Sequence, residues 1–428
     1  MIIEGKNSYL KGEIVVPGDK SISHRSIMLG SIAEGVTEID NILLSEDTLV
    51  TINCFKNMGV NIFKKDKSIK IVGVGLKGLK EPKRPLYCGN SGTTMRLLSG
   101  ILVGQDFSSM LLGDNSLNIR PMKRIIKPLR EMGGIIEGVE DEFPPLQIYP
   151  SDSLYGIQYK MPIASAQVKS AILLASLYSI GETTILEKGF SRDHTERMLK
   201  YYGANIFREN NTILITDSPR LEGQRLYIPG DFSSAAFFIV GALTLKDSEI
   251  IINNVGLNEG RIGLIKVLIE MGGNIEVGNL KCVNNELIGD LYVKYSKLKG
   301  IEISGDIISS LIDEIPILAV AASLAEGMTI IKNAEELKYK ETNRLKVMAT
   351  ELRKMGVIIE ELEDGLIIQG SDRLKSAVLD SHMDHRIAMS LSIAALNADG
   401  RSKIENSNCV NISFPSFYSL LYKNLIFI

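Results

Sequence analysis

Five times along the chain a Leu-rich stretch runs into Met or Tyr, a glycine, and then alternating apolar residues. The copies read NMGVNI (57–62), EMGGII (131–136), YYGANI (201–206), EMGGNI (270–275) and KMGVII (354–359). Their glycines stand at 59, 133, 203, 272 and 356, spaced by 74, 70, 69 and 84 residues. A glycine there stops a helix, because the C′ position takes a left-handed backbone that a Cβ disfavours; the alternation after it reads as a strand. A second signal interleaves with the first: an Ala/Leu helix, a turn and a β-branched strand, as in LGSIAEGVTEIDNI (29–42), LASLYSIGETTILE (174–187), LTLKDSEIIINNV (243–255) and AASLAEGMTIIKNA (321–334). The last copy, IAALNADGRSKIEN (393–406), lacks the Met-Gly helix after it. Together the signals predict about six α/β modules of roughly 70 residues, each with strands and two helices, longer than solenoid repeats.

Six modules divide most simply as three plus three. The strand pattern from Leu10 to Val16 ends in Pro17–Gly18, and YIPGDFSSAAFF (227–238) breaks at Pro229–Gly230 with Ser233–Ser234 able to cap the next helix. Two similar breaks predict one discontinuous domain, 1–18 plus 232–428, with a second domain, 19–231, inserted in it. A length of 428 residues also favours at least two cores.

Charge narrows the function. With 48 Lys+Arg against 51 Asp+Glu, net −3, neither a basic nucleic-acid footprint nor an acidic tail is expected. A 45% hydrophobic content with 13 prolines argues against disorder. Cys54, Cys88, Cys282 and Cys409 form no CxxC or Cys/His cluster, so no disulfide framework and no metal site is expected, and a reducing cytoplasm is. The N-terminal MIIEGKNSYLKGEIVVPG carries charges every few residues, unlike a signal peptide, and no apolar run reaches the ~18 residues of a membrane span.

The chemistry-bearing residues cluster at helix starts. PGDKSISHRSIMLGSIA (17–33) brings Lys20, Ser21, Ser23, His24 and Arg25 to one helix N-terminus, where backbone N–H groups already favour anions. YCGNSGTTMRLLSG (87–100) is a Gly-rich entry to a helix with Asn90, Ser91, Gly92, Thr93, Thr94 and Arg96, yet without P-loop or dinucleotide spacing. Arg120 precedes Pro121 and so lies in extended chain or a turn. Asp313 and Glu314 enter an apolar helix in SSLIDEIPILAVAASLAEG (309–327) as a cap or as functional groups. Lys340 and Arg344 are spaced to share a helix face, where their like charges repel unless solvent or an anion separates them; Glu341 and Arg344 are spaced to pair. Asp384, His385 and Arg386 head another apolar helix, and His382 with His385 finds no third ligand at zinc-like spacing. Widely separated modules thus contribute Lys20, Arg25, Arg96, Arg120, Lys340, Arg344 and Arg386. The expectation is a cleft between two repeat-built domains that takes a small polyanion.

These segments resemble the 5-enolpyruvylshikimate-3-phosphate synthase family of enolpyruvyl transferases. The resemblance covers essentially the whole chain. It rests on PGDKSISHR (17–25), GNSGTTMR (89–96), Arg120–Pro121, SAQVKSA (165–171), Asp313, KETNR (340–344) and DHR (384–386), in family order and spacing. It implies two similar domains, each a pseudo-threefold assembly of βαβαββ units forming an inside-out α/β barrel, with the active site in the interdomain cleft. It implies transfer of the enolpyruvyl group of phosphoenolpyruvate to the 5-hydroxyl of shikimate 3-phosphate, releasing phosphate, in the shikimate pathway toward chorismate and aromatic amino acids. No cofactor, metal, nucleic acid or membrane partner is implied, and a monomer is expected.

By the same resemblance, Lys20 touches both substrates, while Ser21, Arg25, Ser165, Ala166 and Gln167 hold shikimate 3-phosphate. Gly92, Arg120, Gln167, Arg344 and Arg386 hold phosphoenolpyruvate. Asp313 and Lys340 contact the shikimate hydroxyls, with Asp313 as proton acceptor and Lys20 or Glu341 as the partner acid. Glyphosate is expected to compete at the phosphoenolpyruvate site beside Gly92. Two positions depart from the pattern: Glu336 stands where some members carry Asn, and Ile412 where many carry Lys before the final [ST]-F-P, a contact that is then expected either to be missing or to come from elsewhere, as from Lys169 or Lys403. Two rival readings remain. UDP-N-acetylglucosamine enolpyruvyl transferases need a loop Cys and an early Lys-Asn pair, whereas this chain has GDNSLNIRP (113–121) and Lys20–Ser21. A noncatalytic anion binder has no need of Asp313 and Glu341. The split of cations between two domains further predicts a free cleft held open by like-charge repulsion and drawn shut by anionic substrate.

Overall fold

The computed structural model describes residues 1–5, 8–216 and 220–427. The chain forms two compact units: a discontinuous one of residues 1–17, 229–282 and 287–428, and an inserted one of 18–228 and 283–286. The breaks fall at the two Pro-Gly sites. No sequence signal pointed to 283–286, the tip of a long hairpin, as part of the inserted unit.

The inserted unit contains α1 (Lys20–Ile32), α2 (Glu46–Asn57), α3 (Gly92–Leu102), α4 (Lys123–Glu131), α5 (Ala166–Ser176) and α6 (His194–Tyr201). Its strands form three four-stranded sheets of one topology. The first orders Arg225–Tyr227, Glu34–Asp40, Ser68–Val74 and Asn61–Lys65; the second orders Leu86–Tyr87, Ser109–Leu112, Phe143–Tyr149 and Ile135–Val139. The third orders Gln158–Lys160, Thr183–Leu186, Thr212–Ile215 and Ile206–Glu209. In each, the entering strand is parallel to the next and the remaining pairs are antiparallel. In the second and third sheets a helix separates each of the first three strands in chain order, so the module is βαβαββ; in the first, the parallel edge strand Arg225–Tyr227 comes last in the chain.

The discontinuous unit contains α7 (Phe232–Thr244), α8 (Gly263–Glu270), α9 (Ile315–Ser323), α10 (Arg344–Lys354), α11 (His385–Leu396) and α12 (Phe417–Asn424). Its first sheet adds Leu425–Phe427 to the edge of Ser8–Ile14, beside Glu249–Gly256, Glu286–Lys294 and Asn274–Val283. Its second repeats the inserted unit's order with Glu302–Ile303, Met328–Ile331, Leu366–Gln369 and Ile358–Glu361. The third module, which lacks the Met-Gly junction, is completed by the N-terminus: Ile2–Gly5 pairs antiparallel with Ala398–Glu405, Ile2 opposite Lys403.

All five junction glycines have φ between +85° and +100°. Each closes a helix with the same pair of bonds, for example Gly59 N–H to Lys56 O at 3.1 Å and Val60 N–H to Phe55 O at 3.1 Å. This is the Schellman arrangement, which satisfies carbonyls that a helix end leaves bare. Helices α2, α4, α6, α8 and α10 carry these ends, and with α12 they show one face to solvent. The odd-numbered helices carry no polar stripe, and past the first turn almost every residue is buried. Most of their serines bond back to carbonyls three or four residues earlier, as Ser26 to Ser23, Ser31 to Ile27 and Ser99 to Met95, while the buried Ser390 hydroxyl of α11 has no such bond.

Small residues set how closely these buried helices approach. A Cβ on Gly100 of α3 would lie 2.2 Å from the Ala171 carbonyl oxygen of α5. Backbone cannot rotate aside as a side chain can, so the helices must separate. Gly100→Ala is expected to destabilise the protein by about 1–3 kcal/mol, read as a lowered urea midpoint at unchanged slope; an unchanged midpoint would show that α3 and α5 have slack.

Candidate active site

In the inserted unit, α1, α3 and α5 each start with a side-chain cap. Asp19 accepts from Ile22 N–H at 2.9 Å, Ser91 from Thr94 N–H at 3.2 Å, and Ser165 from Val168 N–H at 3.4 Å. The sequence-predicted residues Lys20, Ser21, Arg25, Gly92, Arg96, Ser165, Ala166 and Gln167 fall within the first turns of these three helices, and their side chains tie the starts together. Arg96 donates to Gln167 Oε1 at 2.7 Å, and Gln167 donates back to Thr93 Oγ1 at 3.0 Å. Arg25 donates from Nε to Thr195 Oγ1 at 2.7 Å and from Nη2 to Ser170 Oγ at 2.8 Å. Burial lowers the Arg25 guanidinium to about 10, with Glu196 opposing that shift and Arg192 adding to it. Arg120 reaches Asn90 Oδ1 at 2.8 Å and Ser116 Oγ at 3.1 Å, so this guanidinium also belongs to the start of α3. A Cβ on Gly92 would lie 3.0 Å from Arg96 Nη1 and 3.7 Å from Arg120 Nη1, which puts two guanidinium ends at that bare Cα.

In the discontinuous unit, Asp313 stands between two cations. Its Oδ1 lies 3.5 Å from Lys340 Nζ and 3.7 Å from Arg344 Nη1. The expectation that Lys340 and Arg344 share a helix face fails: α10 begins at Arg344, and Lys340 lies before its Asn343 cap in extended backbone. The anion that relieves their repulsion is Asp313 itself. Arg344 is also bound by Asp384 at 2.8 Å and by Glu341 at 2.5 Å. Burial alone would lower this guanidinium, but Asp384, Glu341 and Asp313 together outweigh it and hold its proton more tightly than usual. Asp384 caps α11, accepting from Arg386 N–H at 2.9 Å. The Arg386 side chain spans the Asp313 carbonyl at 3.0 Å, Glu314 Oε1 at 3.3 Å and Ser233 Oγ at 3.2 Å.

Sequence reasoning missed several partners. Asp47, in the first turn of α2, binds Lys20 Nζ at 2.9 Å; from sequence it reads only as an acidic residue favoring a helix dipole. Thr195 and Ser170 hold Arg25, and Arg192 is close enough to act on its charge. Ser233 was read as a cap, whereas Asp231 is the cap and Ser233 joins Glu314, Arg261 and Arg386. The departures resolve as well. Glu336 pairs with Lys340 at 3.3 Å, and Ile412 packs half-buried against the core. Neither lysine expected to compensate for Ile412 is available. Lys169 is fully buried between Glu187 at 3.0 Å and Glu196 at 2.7 Å, with Arg208 completing the quartet; Lys403 is an exposed partner of Glu405. Burial raises Glu196 against the pull of Lys169.

Among the described residues, no group of three or more His, Cys, Asp or Glu is placed to hold a metal ion, and no helix is long and apolar enough to cross a membrane. What the arrangement offers is carboxylate-backed cations at capped helix starts, with Asp313 and Glu341 sharing one arginine.

The sequence profile of the family described as EPSP synthase (3-phosphoshikimate 1-carboxyvinyltransferase) matches residues 5–421. A 3-phosphoshikimate 1-carboxyvinyltransferase of a Thermoanaerobacter species is 54% identical over 413 residues, covering 96% of this chain and 97% of that one. The solved EPSP synthase of Acinetobacter baumannii superposes with a TM-score of 0.89 at 44% identity, over 99% of this chain and 98% of that one. The enolpyruvyl transferase NikO of Streptomyces tendae, at 18% identity and a TM-score of 0.81 over 99% and 98% of the two chains, shares the fold. With its six βαβαββ-type modules and near-complete match in length, the chain belongs to the EPSP synthase (3-phosphoshikimate 1-carboxyvinyltransferase) family.

Proposed function

We infer that the transfer this family performs, phosphoenolpyruvate plus shikimate 3-phosphate to 5-enolpyruvylshikimate 3-phosphate and phosphate, runs in this chain on the two residue sets described above. The observation that carries the reading is Asp313, a partly exposed carboxylate between Lys340 and Arg344, whereas Asp384 on the same arginine is fully buried.

Lys20, Ser21, Arg25, Ser165, Ala166 and Gln167 take shikimate 3-phosphate, with Lys340 and Asp313 at its hydroxyls. Lys20, Gly92, Arg120, Gln167, Arg344 and Arg386 take phosphoenolpyruvate. As the 5-hydroxyl attacks C2 of phosphoenolpyruvate, Asp313 accepts its proton, and C3 gains a proton to become a methyl group. Lys20, an ammonium oriented by Asp47, is the acid that gives it. Phosphate then leaves C2 as the methyl loses a proton, for which Glu341, kept a carboxylate by Arg344, is the acceptor. Each such transfer is worth about 10²–10⁴-fold. The phosphates, each carrying about −1.5 to −2 charges near neutral pH, are neutralised and oriented by the guanidinium and ammonium groups. One chain supplies both residue sets, which supports a monomer, and four cysteines with no disulfide support a reducing cytoplasm.

Purified protein should release phosphate only with both substrates present, and UDP-N-acetylglucosamine should not replace shikimate 3-phosphate. Asp313→Asn keeps the shape and removes the base, so turnover should fall at least ~10²-fold while shikimate 3-phosphate still binds. Turnover near wild type would remove Asp313 from the role. Gly92→Ala introduces a methyl against Arg96 and beside Arg120, the far ends of flexible side chains, so the fold should survive. Glyphosate should inhibit the wild-type enzyme, and this methyl should raise its inhibitory concentration more than ~10-fold, equivalent to about 1.4 kcal/mol. Inhibition curves at fixed shikimate 3-phosphate would measure it, and an already insensitive wild type would contradict it.

A further inference from the structure

His24 lies in the PGDKSISHR segment, and no step above uses it. It is buried in α1, and its Nδ1 is 2.7 Å from Thr51 Oγ1 of α2. Thr51 Oγ1 is 2.7 Å from Thr94 Oγ1 of α3, which donates to Ser91 Oγ at 2.8 Å. Ser91 is the cap of α3, next to Gly92.

Proton counting gives this row a direction. A threonine hydroxyl has one hydrogen. Thr94 gives its hydrogen to Ser91, so between Thr51 and Thr94 the donor is Thr51. Two oxygens 2.7 Å apart need a hydrogen between them, so that hydrogen is not free for His24 Nδ1 or for the Asp47 carbonyl, which is 3.5 Å away. With that hydrogen used, Thr51 can only accept from His24, and the imidazole must carry a hydrogen on Nδ1. His24 Nε2 is buried with no hydrogen-bond partner among the described residues. A second hydrogen there would be an unpaired buried donor on a cation next to Lys20 and Arg25, whereas a bare lone pair costs far less.

We propose that His24 is a positioning residue, held as the neutral Nδ1–H tautomer, at the head of a one-way chain His24→Thr51→Thr94→Ser91 that sets the start of α3 against α1. Burial first, then Lys20 and Arg25, hold the imidazole well below its ordinary value, in keeping with a neutral ring. The consequence for catalysis rests on the substrate roles given above: α1 carries Lys20, Ser21 and Arg25, α3 starts at Gly92, and the chain fixes their spacing before substrate arrives.

Two measurements test this. In ligand-free, ¹⁵N-histidine-labelled full-length protein, the His24 ring should show hydrogen on Nδ1 and none on Nε2 near neutral pH. An Nε2–H tautomer or a charged ring would overturn the proposal whatever reaction the protein catalyses. In steady-state phosphate release, Thr51→Val should raise KM for phosphoenolpyruvate about tenfold with kcat within about threefold, and Thr51→Ser should restore it. KM unchanged in a folded Thr51→Val would overturn the positioning role. Should Thr51→Val fail to fold, His24→Asn, which keeps an N–H near the place of Nδ1, should behave like wild type. His24→Gln, whose N–H lies nearer the place of Nε2, should show the raised KM, and equal KM in the two would overturn the proposal. A correct tautomer in a wild-type protein that releases no phosphate would count against the assigned reaction and leave the hydrogen-bond chain standing.

Discussion

A helix buried on all sides can satisfy its interior backbone but not its first N–H groups. The six odd-numbered helices place that constraint six times in this protein. Five of them meet it with a short side chain or an acidic cap: Asp19, Ser91, Ser165, Asp231 and Asp384 each accept from a backbone N–H one to three residues inside the helix. α9 follows Glu314 without a side-chain cap and has Pro316 in its first turn, where no N–H is needed. The remaining donors and the positive helix ends are where the residues proposed to bind the substrate anions gather. The site residues fall at helix starts because that is where a fold of this kind leaves polar backbone to be used.

Cations in such places are costly unless something accompanies them. Lys20 has Asp47, Arg344 has Asp384 and Glu341, Lys340 has Asp313 and Glu336, and Arg386 has Glu314. Removing one member of a buried pair leaves an uncompensated charge, a loss of about 3–5 kcal/mol. These carboxylates therefore do more than soften repulsion. They fix each cation's orientation before substrate arrives, which avoids reorganisation during reaction. The repulsion expected among Lys340 and Arg344 is absent for the same reason.

Much of the architecture was legible because periodicity and glycine report backbone directly. Gly59, Gly133, Gly203, Gly272 and Gly356 all sit at left-handed helix ends, since no other residue takes that conformation as cheaply. The missing sixth junction was legible too, and its consequence was not: Ile2–Gly5 fills the gap by pairing with the far end of the chain, Ile2 with Lys403 and Gly5 with Gly400, a contact no local pattern can announce. Lys340 and Arg344 were misread for a related reason. Their i, i+4 spacing is helical only if the helix includes both, and the Asn343 cap starts it at Arg344.

From sequence alone, then, come the six-module plan, the Pro-Gly breaks, the family resemblance and the identities of Lys20, Arg25, Arg120, Asp313, Glu341, Arg344 and Arg386, because these depend on local backbone preference and on motifs kept in order. Tertiary structure alone decided the partners. That Asp47 holds Lys20, that Thr195 and Ser170 hold Arg25, that Lys169 is locked among Glu187, Glu196 and Arg208, and that a row of hydroxyls reaches from His24 to Ser91 all follow from side chains brought together across as many as 170 residues. Apart from near neighbours such as Glu341 and Arg344, a charge in sequence carries no sign of its counter-charge, because electrostatic pairing is set by distance in space and screened by what packs around it.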